Sequence, residues 1–566
     1  MGDAPSPVRA TKSIVSIPQD VPPKAATSLL DLPYELFIEV LGYLSPVSTL
    51  ALRRLNRQSH AVLTRSDLCV SLIKQHFPLS LEARRINTPS SSSANVDWAK
   101  VFATLARRYW HLATATPWRA LDIETDTSGC VAVHPWNRHL MLDERTSVLQ
   151  YPDPFWTFDA ESGLLVYPAP DGLGLQVRDL HTNEQVEVPF SRTGRALRRL
   201  RLKDGVLIVE WCEEDAFHAL NERTSAHRHF ATAFDVARTD QWDGGLHVKD
   251  APPSLSFWRV TFRSEWKIHY LGLPLTDHDR FFSAHNSTHY VVYIWQPNRS
   301  PYAEDDPLER LVMWDISSPS PYRPSLDPGN RGKSDTGGPI VVHRLVNSDL
   351  SVWGVRQSQT PRLRSLEIDN VTRDPHTGAT TGSVFFHEED HRWCTGPHAS
   401  PIPPRLHSVR VTGIPLTGIG PKWLAECGVE NGEGFTFCRR DLSMQQDTSR
   451  DMMGDEWPGH SACWRHDDFP YLTVAEVFDR KAGVRITARH CFMLETLSVH
   501  VRPKLRINGV TSEGNGCDPN GEGITQDEVQ FPDEWWDQLL GKGYIAGDER
   551  CVVGEDAQGN ITAIIF

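Results

Sequence analysis

The pentad His387-Glu388-Glu389-Asp390-His391 has the residue types and spacing of a zinc-dependent hydrolase. On a helix, two histidines four apart share one face and bind zinc, while the Glu after the first activates a water as general base. The flanks argue against that use. Ser383-Val384-Phe385-Phe386 reads as a strand, and Trp393-Cys394-Thr395-Gly396-Pro397 soon breaks any helix. Both intervening residues are acidic, and the third histidine of an extended motif would fall on Pro397, beside His398. With 24 histidines in the chain such a match arises readily by chance, and a solvated acidic turn accounts for it better. The expectation is therefore no metal and no cofactor, with zinc hydrolysis by His387, Glu388 and His391 as the rival reading.

Arg192, Arg195, Arg198, Arg199 and Arg201 form the one local basic cluster, in SRTGRALRRLRLK. Guanidinium forks hold phosphate bidentately, so Arg195, Arg198, Arg199 and Arg201 are candidates for clamping a phosphorylated protein segment. The other reading is the solvent side of an alternating strand. Remaining motifs fail on one position or on context. Gly332-Lys333-Ser334 ends like a phosphate loop, but the first glycine position is Asp327. Gly541 to Ala546 mimics a dinucleotide turn, yet follows a helical run. Asp518, Asn520, Glu522 and Gly523 resemble a calcium loop whose twelfth position is Val529 instead of a bidentate Glu. His460, Cys463 and His466 are soft ligands in a Trp/Pro-rich stretch, a weak metal signal.

The elements that must position these residues change character along the chain. It has 566 residues, which predicts about 3–4 domains. Net charge is −14, with 58 Lys and Arg against 72 Asp and Glu, and no long basic run, so nucleic acid is a poor partner. No stretch approaches the ~18 consecutive apolar residues of a membrane span, and MGDAPSPVRA lacks the apolar core of a signal peptide. Ten cysteines without a Cys-x-x-Cys pair read as free thiols in a reducing compartment, so the expected location is cytoplasmic, nuclear or both. Met1-Gly2 with Ser6 meets a loose myristoylation pattern, but Asp3 counts against it, and no membrane partner is expected.

Residues 1–27 hold five prolines and read as a disordered arm. Pro33 suits a first helical position, Glu35 the first turn, and Leu36, Phe37, Val40, Leu41 and Leu44 form an apolar face. Ser45 and Pro46 open a second helix carrying Val47, Leu50 and Leu55, and residues 56–63 a third. A unit of this size holds only a small core, so its apolar surface calls for a covering partner. Residues 66–88 read as helical, 90–93 as a flexible linker, and 97–111 as one more helix. From Trp118 onward short runs are cut every ten or so residues by Gly, Pro, Asn or Asp, the all-β texture. Runs ending at Asp179, Asp235, Asp315 and Asp369 recur at intervals of 56, 80 and 54 residues, which suggests propeller blades with inserted loops. A β-sandwich or two packed sheets is the alternative. The polar segment 317–339 is one such insert, FPDEWWDQLL a short helix, and 548–566 a final hairpin turning at Gln558-Gly559-Asn560.

Residues 28–63 closely resemble the F-box. Leu32-Pro33-Tyr34-Glu35 opens the pattern, an apolar helix ending in Tyr43-Leu44 follows, and Arg54-Leu55-Asn56-Arg57 stands where the family has a Val-Ser/Cys-Arg-like run. The resemblance implies a non-catalytic substrate-recognition subunit of an SCF-type cullin–RING ubiquitin ligase. In that family the F-box docks on a Skp-family adaptor and through it on cullin, and the remaining chain holds a protein substrate. The implied adaptor contacts are Leu32, Pro33, Glu35, Leu36, Val40, Leu41, Leu44, Leu50 and Leu55. A structural F-box protein without ubiquitin output is a third reading. The expected organisation is an all-α F-box over 28–75, a helical linker over 76–117, and a mainly-β, propeller-like domain over 118–566.

Overall fold

The computed structural model describes residues 29–87, 96–133, 139–141, 148–150, 153–219, 225–239, 257–269, 273–274, 280–298, 306–329, 332, 337–359, 362–372, 381–393, 405–418, 422–427, 472–479, 481–490, 495–501 and 528–566. The arm 1–27, the linker 90–93, the 460–466 ligand trio and the 518–523 loop lie outside them. The chain divides into two units, Met1–Arg107 and Arg108–Phe566.

The first unit is helical. After a single 3-10 turn, α1 (Tyr34–Tyr43) starts behind Pro33, which takes the cap position one residue ahead of the expected first turn. Ser45 caps α2 (Pro46–Leu52) through its side chain, and Asn56 caps α3 (Arg57–Leu63) in the same way. The run 66–88 is two helices, α4 (Ser66–His76) and α5 (Leu81–Asn87). Pro78 has no N–H to continue the ladder, and the Ser80 hydroxyl accepts from the Ala83 amide at 3.2 Å to restart it. Asp97 caps α6 (Trp98–Ala113), accepting from Lys100 N at 3.1 Å. The first half of α6 is no linker. Phe102 is fully buried, its ring 6.1 Å from that of Phe77, and the Arg53 guanidinium lies 5.1 Å above it while donating to the Ala99 carbonyl.

The second unit is β. Among the described residues it contains six four-stranded antiparallel sheets. Blade I is Thr157–Asp159, Leu164–Pro168, Leu175–Asp179 and Gln185–Val188. Blade II is Arg195–Lys203, Val206–Glu213, His229–Thr239 and Phe257–Lys267. Blade III is Arg280–His285, His289–Gln296, Leu308–Asp315 and Ile340–Val346. Blade IV is Leu363–Ile368, Ser383–Trp393, Arg405–Pro415 and Trp423–Cys427. Blade V is Leu472–Asp479, Val484–His490, Glu495–Val501 and Glu528–Gln530. Blade VI is Ile545–Gly547, Cys551–Glu555 and Ile561–Ile565, completed by Arg119–Ile123. The last pairing runs antiparallel from Arg119↔Ile565 to Ile123↔Ile561, so the two ends of the domain share one blade. This is a six-bladed β-propeller, and the sandwich alternative falls.

Buried side chains fill the space between blades. Val166 and Val177 of blade I meet Leu197, Leu207 and Trp211 of blade II, and Ile208 and Ala233 of blade II meet Tyr290 and Trp314 of blade III. Leu165 and Trp156 pack with Val553 and Ala563 across the closure. Because the sheet of blade I is covered on both faces, its strand Leu164–Pro168 is buried at every residue, and alternation fades from the sequence. Three of the four repeated aspartates occupy equivalent places: Asp179, Asp235 and Asp315 lie on the third strands of blades I, II and III. Asp179 accepts from Trp258 Nε1 at 2.9 Å and Arg238 Nη2 at 2.7 Å, tying blade I to blade II. Asp369 differs, since it follows the first strand of blade IV and accepts from Ser383 N at 2.8 Å. Within the insert 317–339, Ser320 is buried and the Arg323 guanidinium sits 3.9 Å from the Phe262 ring centre.

Candidate functional site

Helix α1 carries two apolar stripes. Phe37 and Leu41, four apart, face the interior of the helical unit and are buried. Leu36, Val40 and Tyr43, at i, i+4 and i+7, lie on the outer stripe, with Leu36 50% and Tyr43 82% exposed. Leu32, Pro33 and Glu35 at the start of the helix are exposed, as is Leu55. Leu44 and Leu50 are half-buried. Of the nine residues expected to meet an adaptor, Leu41 is the one this geometry withdraws, because it is enclosed by its own unit. Tyr34, Tyr43 and Val47 join the outer surface instead. Tyr43 was legible from its spacing to Leu36. Tyr34 is held by its hydroxyl, which donates to Asp67 Oδ2 at 3.0 Å, and by the Arg65 guanidinium 5.3 Å from its ring.

The arginine run belongs to the first strand of blade II, which lies between the first strands of blades I and III. Arg198 and Arg199 are 4% and 2% exposed, while Arg195 and Arg201 are half-buried. Arg199 donates from Nε to Asp153 at 2.6 Å, from Nη1 to Ser283 Oγ at 3.1 Å, and from Nη2 to the Phe281 carbonyl at 3.1 Å. Its Nη1 also lies 3.4 Å from Glu210 Oε2. Arg201 donates to Ser283 Oγ at 3.0 Å, and Arg195 stacks 4.6 Å over Trp211. The expectation of a solvent-facing stripe, or of a surface clamp for phosphate, does not describe Arg198 and Arg199. Both point into the junction between blades II and III, because an inner strand of a propeller is enclosed from both sides.

The zinc-like pentad sits inside the second strand of blade IV, paired His387↔Val411 and His391↔His407. Backbone positions four apart in a strand stand about 13 Å apart at ~3.3 Å per residue. One zinc needs both imidazoles ~2 Å from it, a convergence that i, i+4 spacing supplies on a helix and a strand does not supply by its own geometry. His387 and Glu388 are buried. Among the described residues no group of three or more His, Cys, Asp or Glu is arranged to hold a metal, and no helix is long and apolar enough to cross a membrane.

Residues 29–71 match the family of the F-box domain. No curated protein matches the sequence. Among solved structures, a chain of one described as "Crystal Structure of Mitotic Checkpoint Complex" aligns with 7% sequence identity and a TM-score of 0.27, covering 80% of this chain and 92% of that one.

Proposed function

We propose that this F-box and propeller chain is a non-catalytic substrate receptor of an SCF-type cullin–RING ubiquitin ligase. Its F-box docks on a Skp-family adaptor and through it on cullin, its propeller holds a protein substrate, and it works in the cytoplasm, the nucleus or both. The observation that carries the reading is the outer stripe of α1: Leu36, Val40 and Tyr43 are left in water within a domain whose own core is already closed by Phe37 and Leu41. Each apolar side chain fully buried by a partner contributes about 1.5–3 kcal/mol, so covering this stripe favours association.

The test is a titration of the purified full-length chain with purified adaptor. Leu36→Asp with Val40→Asp should weaken binding ~100-fold or more, equivalent to about 2.7 kcal/mol, while the melting profile stays that of the wild type. Wild-type affinity in that variant overturns the adaptor reading. Recovery of adaptor without cullin from cells would replace ligase function by adaptor binding alone. Comparing proteins captured by the full chain and by a chain lacking residues 28–65 separates substrate from adaptor partners.

A further inference from the structure

We propose that the junction between blades II and III encloses a binding site for a small monoanion of halide size, held by Arg198. Arg198 is the extra residue of a β-bulge: the pairing of the first two strands of blade II skips from Leu197 to Arg199. Such bulges re-aim a side chain, and this one turns a guanidinium into the interior. Its Nε and Nη1 have no hydrogen-bond partner among the described residues. An arginine does not shed its proton to escape burial, so the charge has to be met where it stands.

The Phe281 ring, its centre 5.8 Å from the guanidinium, offers only a weak cation–π contact, and the other described neighbours do not supply the missing charge. Cys212, hydrogen-bonded to Arg198, has its thiol pushed up to about 11 by burial and stays neutral near pH 7. Glu210 is taken by Arg199 and by Tyr290, whose hydroxyl donates to Oε1 at 2.9 Å, and Asp153 is taken by Arg199. His229 donates from Nδ1 to the His227 carbonyl at 2.9 Å, and burial with Arg198 nearby keeps the ring neutral. His285 is neutral and bonded to the Val206 carbonyl. Among the described residues the junction therefore holds three guanidiniums, Arg198, Arg199 and Arg201, against two carboxylates, Glu210 and Asp153, one positive charge in excess. A phosphomonoester would overshoot that charge and need an exit for its ester group. A halide matches the single charge and carries no ester group that would need an exit. His229 Nε2, also without a partner among the described residues, is the acceptor that a bound water would use, so water is the competing occupant.

Two measurements on the full-length chain decide this. Crystals grown in bromide should show a bromine anomalous peak within hydrogen-bonding reach of Arg198 Nε and Nη1. A water there, with no bromine signal, overturns the proposal. In solution the melting midpoint should rise with the logarithm of chloride concentration and exceed that in sodium gluconate of equal ionic strength. Arg198→Met should abolish the difference, and equal midpoints for the wild type in the two salts would also count against the site. If Arg198→Met does not fold, the bromide result on the wild type stands alone.

Discussion

Arg199 donates to two carboxylates, a hydroxyl and a carbonyl from a site closed to water, so its removal strands Asp153 and Glu210 without their cation. Arg199→Met should therefore cost about 3–5 kcal/mol in urea unfolding, far more than a surface arginine would. Histidines of the same region set a pH response. Burial depresses His285 to about 3 and His269 to about 4, with Arg310 and Arg344 adding to the second. For a depressed imidazole the unfolded chain takes up the proton first. Its contribution is thus complete above the ordinary value near 6.5 and is lost as pH falls from there toward the folded value. Each group should remove up to about 1.4 kcal/mol per pH unit between pH 6.5 and about 4. Urea midpoints at pH 7.5 and 5.5 check this, and His285→Gln should make the decline shallower. The arginine run was visible in the sequence, but its burial was not, because a charged run looks alike on a surface strand and on an inner one.

At the scale of the element, α1 separates stability from binding. Leu41→Ala removes a fully buried side chain and should destabilise the helical unit by about 2–5 kcal/mol. Leu36→Ala, on the outer stripe, should leave thermal melting unchanged and weaken only adaptor binding. If Leu36→Ala melts as early as Leu41→Ala, the outer stripe is covered from within. The apolar spacing and the Ser45 and Asn56 caps were readable from sequence because they are local. The division of 66–88 falls at Pro78, whose missing N–H is itself a local signal. The docking of α6 through Phe102 and Arg53 depends on contacts about 50 residues apart, which no local pattern records. The pentad at His387 shows the reverse: a motif legible residue by residue stands in a strand, without the helical turn its spacing calls for.

For the whole molecule, closure is the decisive contact. Ile561–Ile565 lies between Cys551–Glu555 and Arg119–Ile123 and bonds to both. Deleting residues 561–566 would leave two unpaired edges and remove Ala563 and Ile564 from the buried core. The shortened chain should aggregate, or unfold at markedly lower temperature, in light-scattering and melting measurements. A soluble truncation melting like the parent would show that blade VI is held by other contacts.

Local chemistry alone determined the capped helices with their surplus apolar face, the β texture after Trp118, the strand at 383–386 and the closing hairpin. Each rests on neighbours within a few residues. The aspartate repeat marked the third strands of blades I, II and III, but inserts such as 317–339 made its spacing irregular and misplaced Asp369. Tertiary structure decided the number of blades, the side to which Arg198 and Arg199 turn, and which stripe of α1 remains outside. All three depend on what lies across a junction between distant segments, and the type of a side chain does not say which neighbour will enclose it.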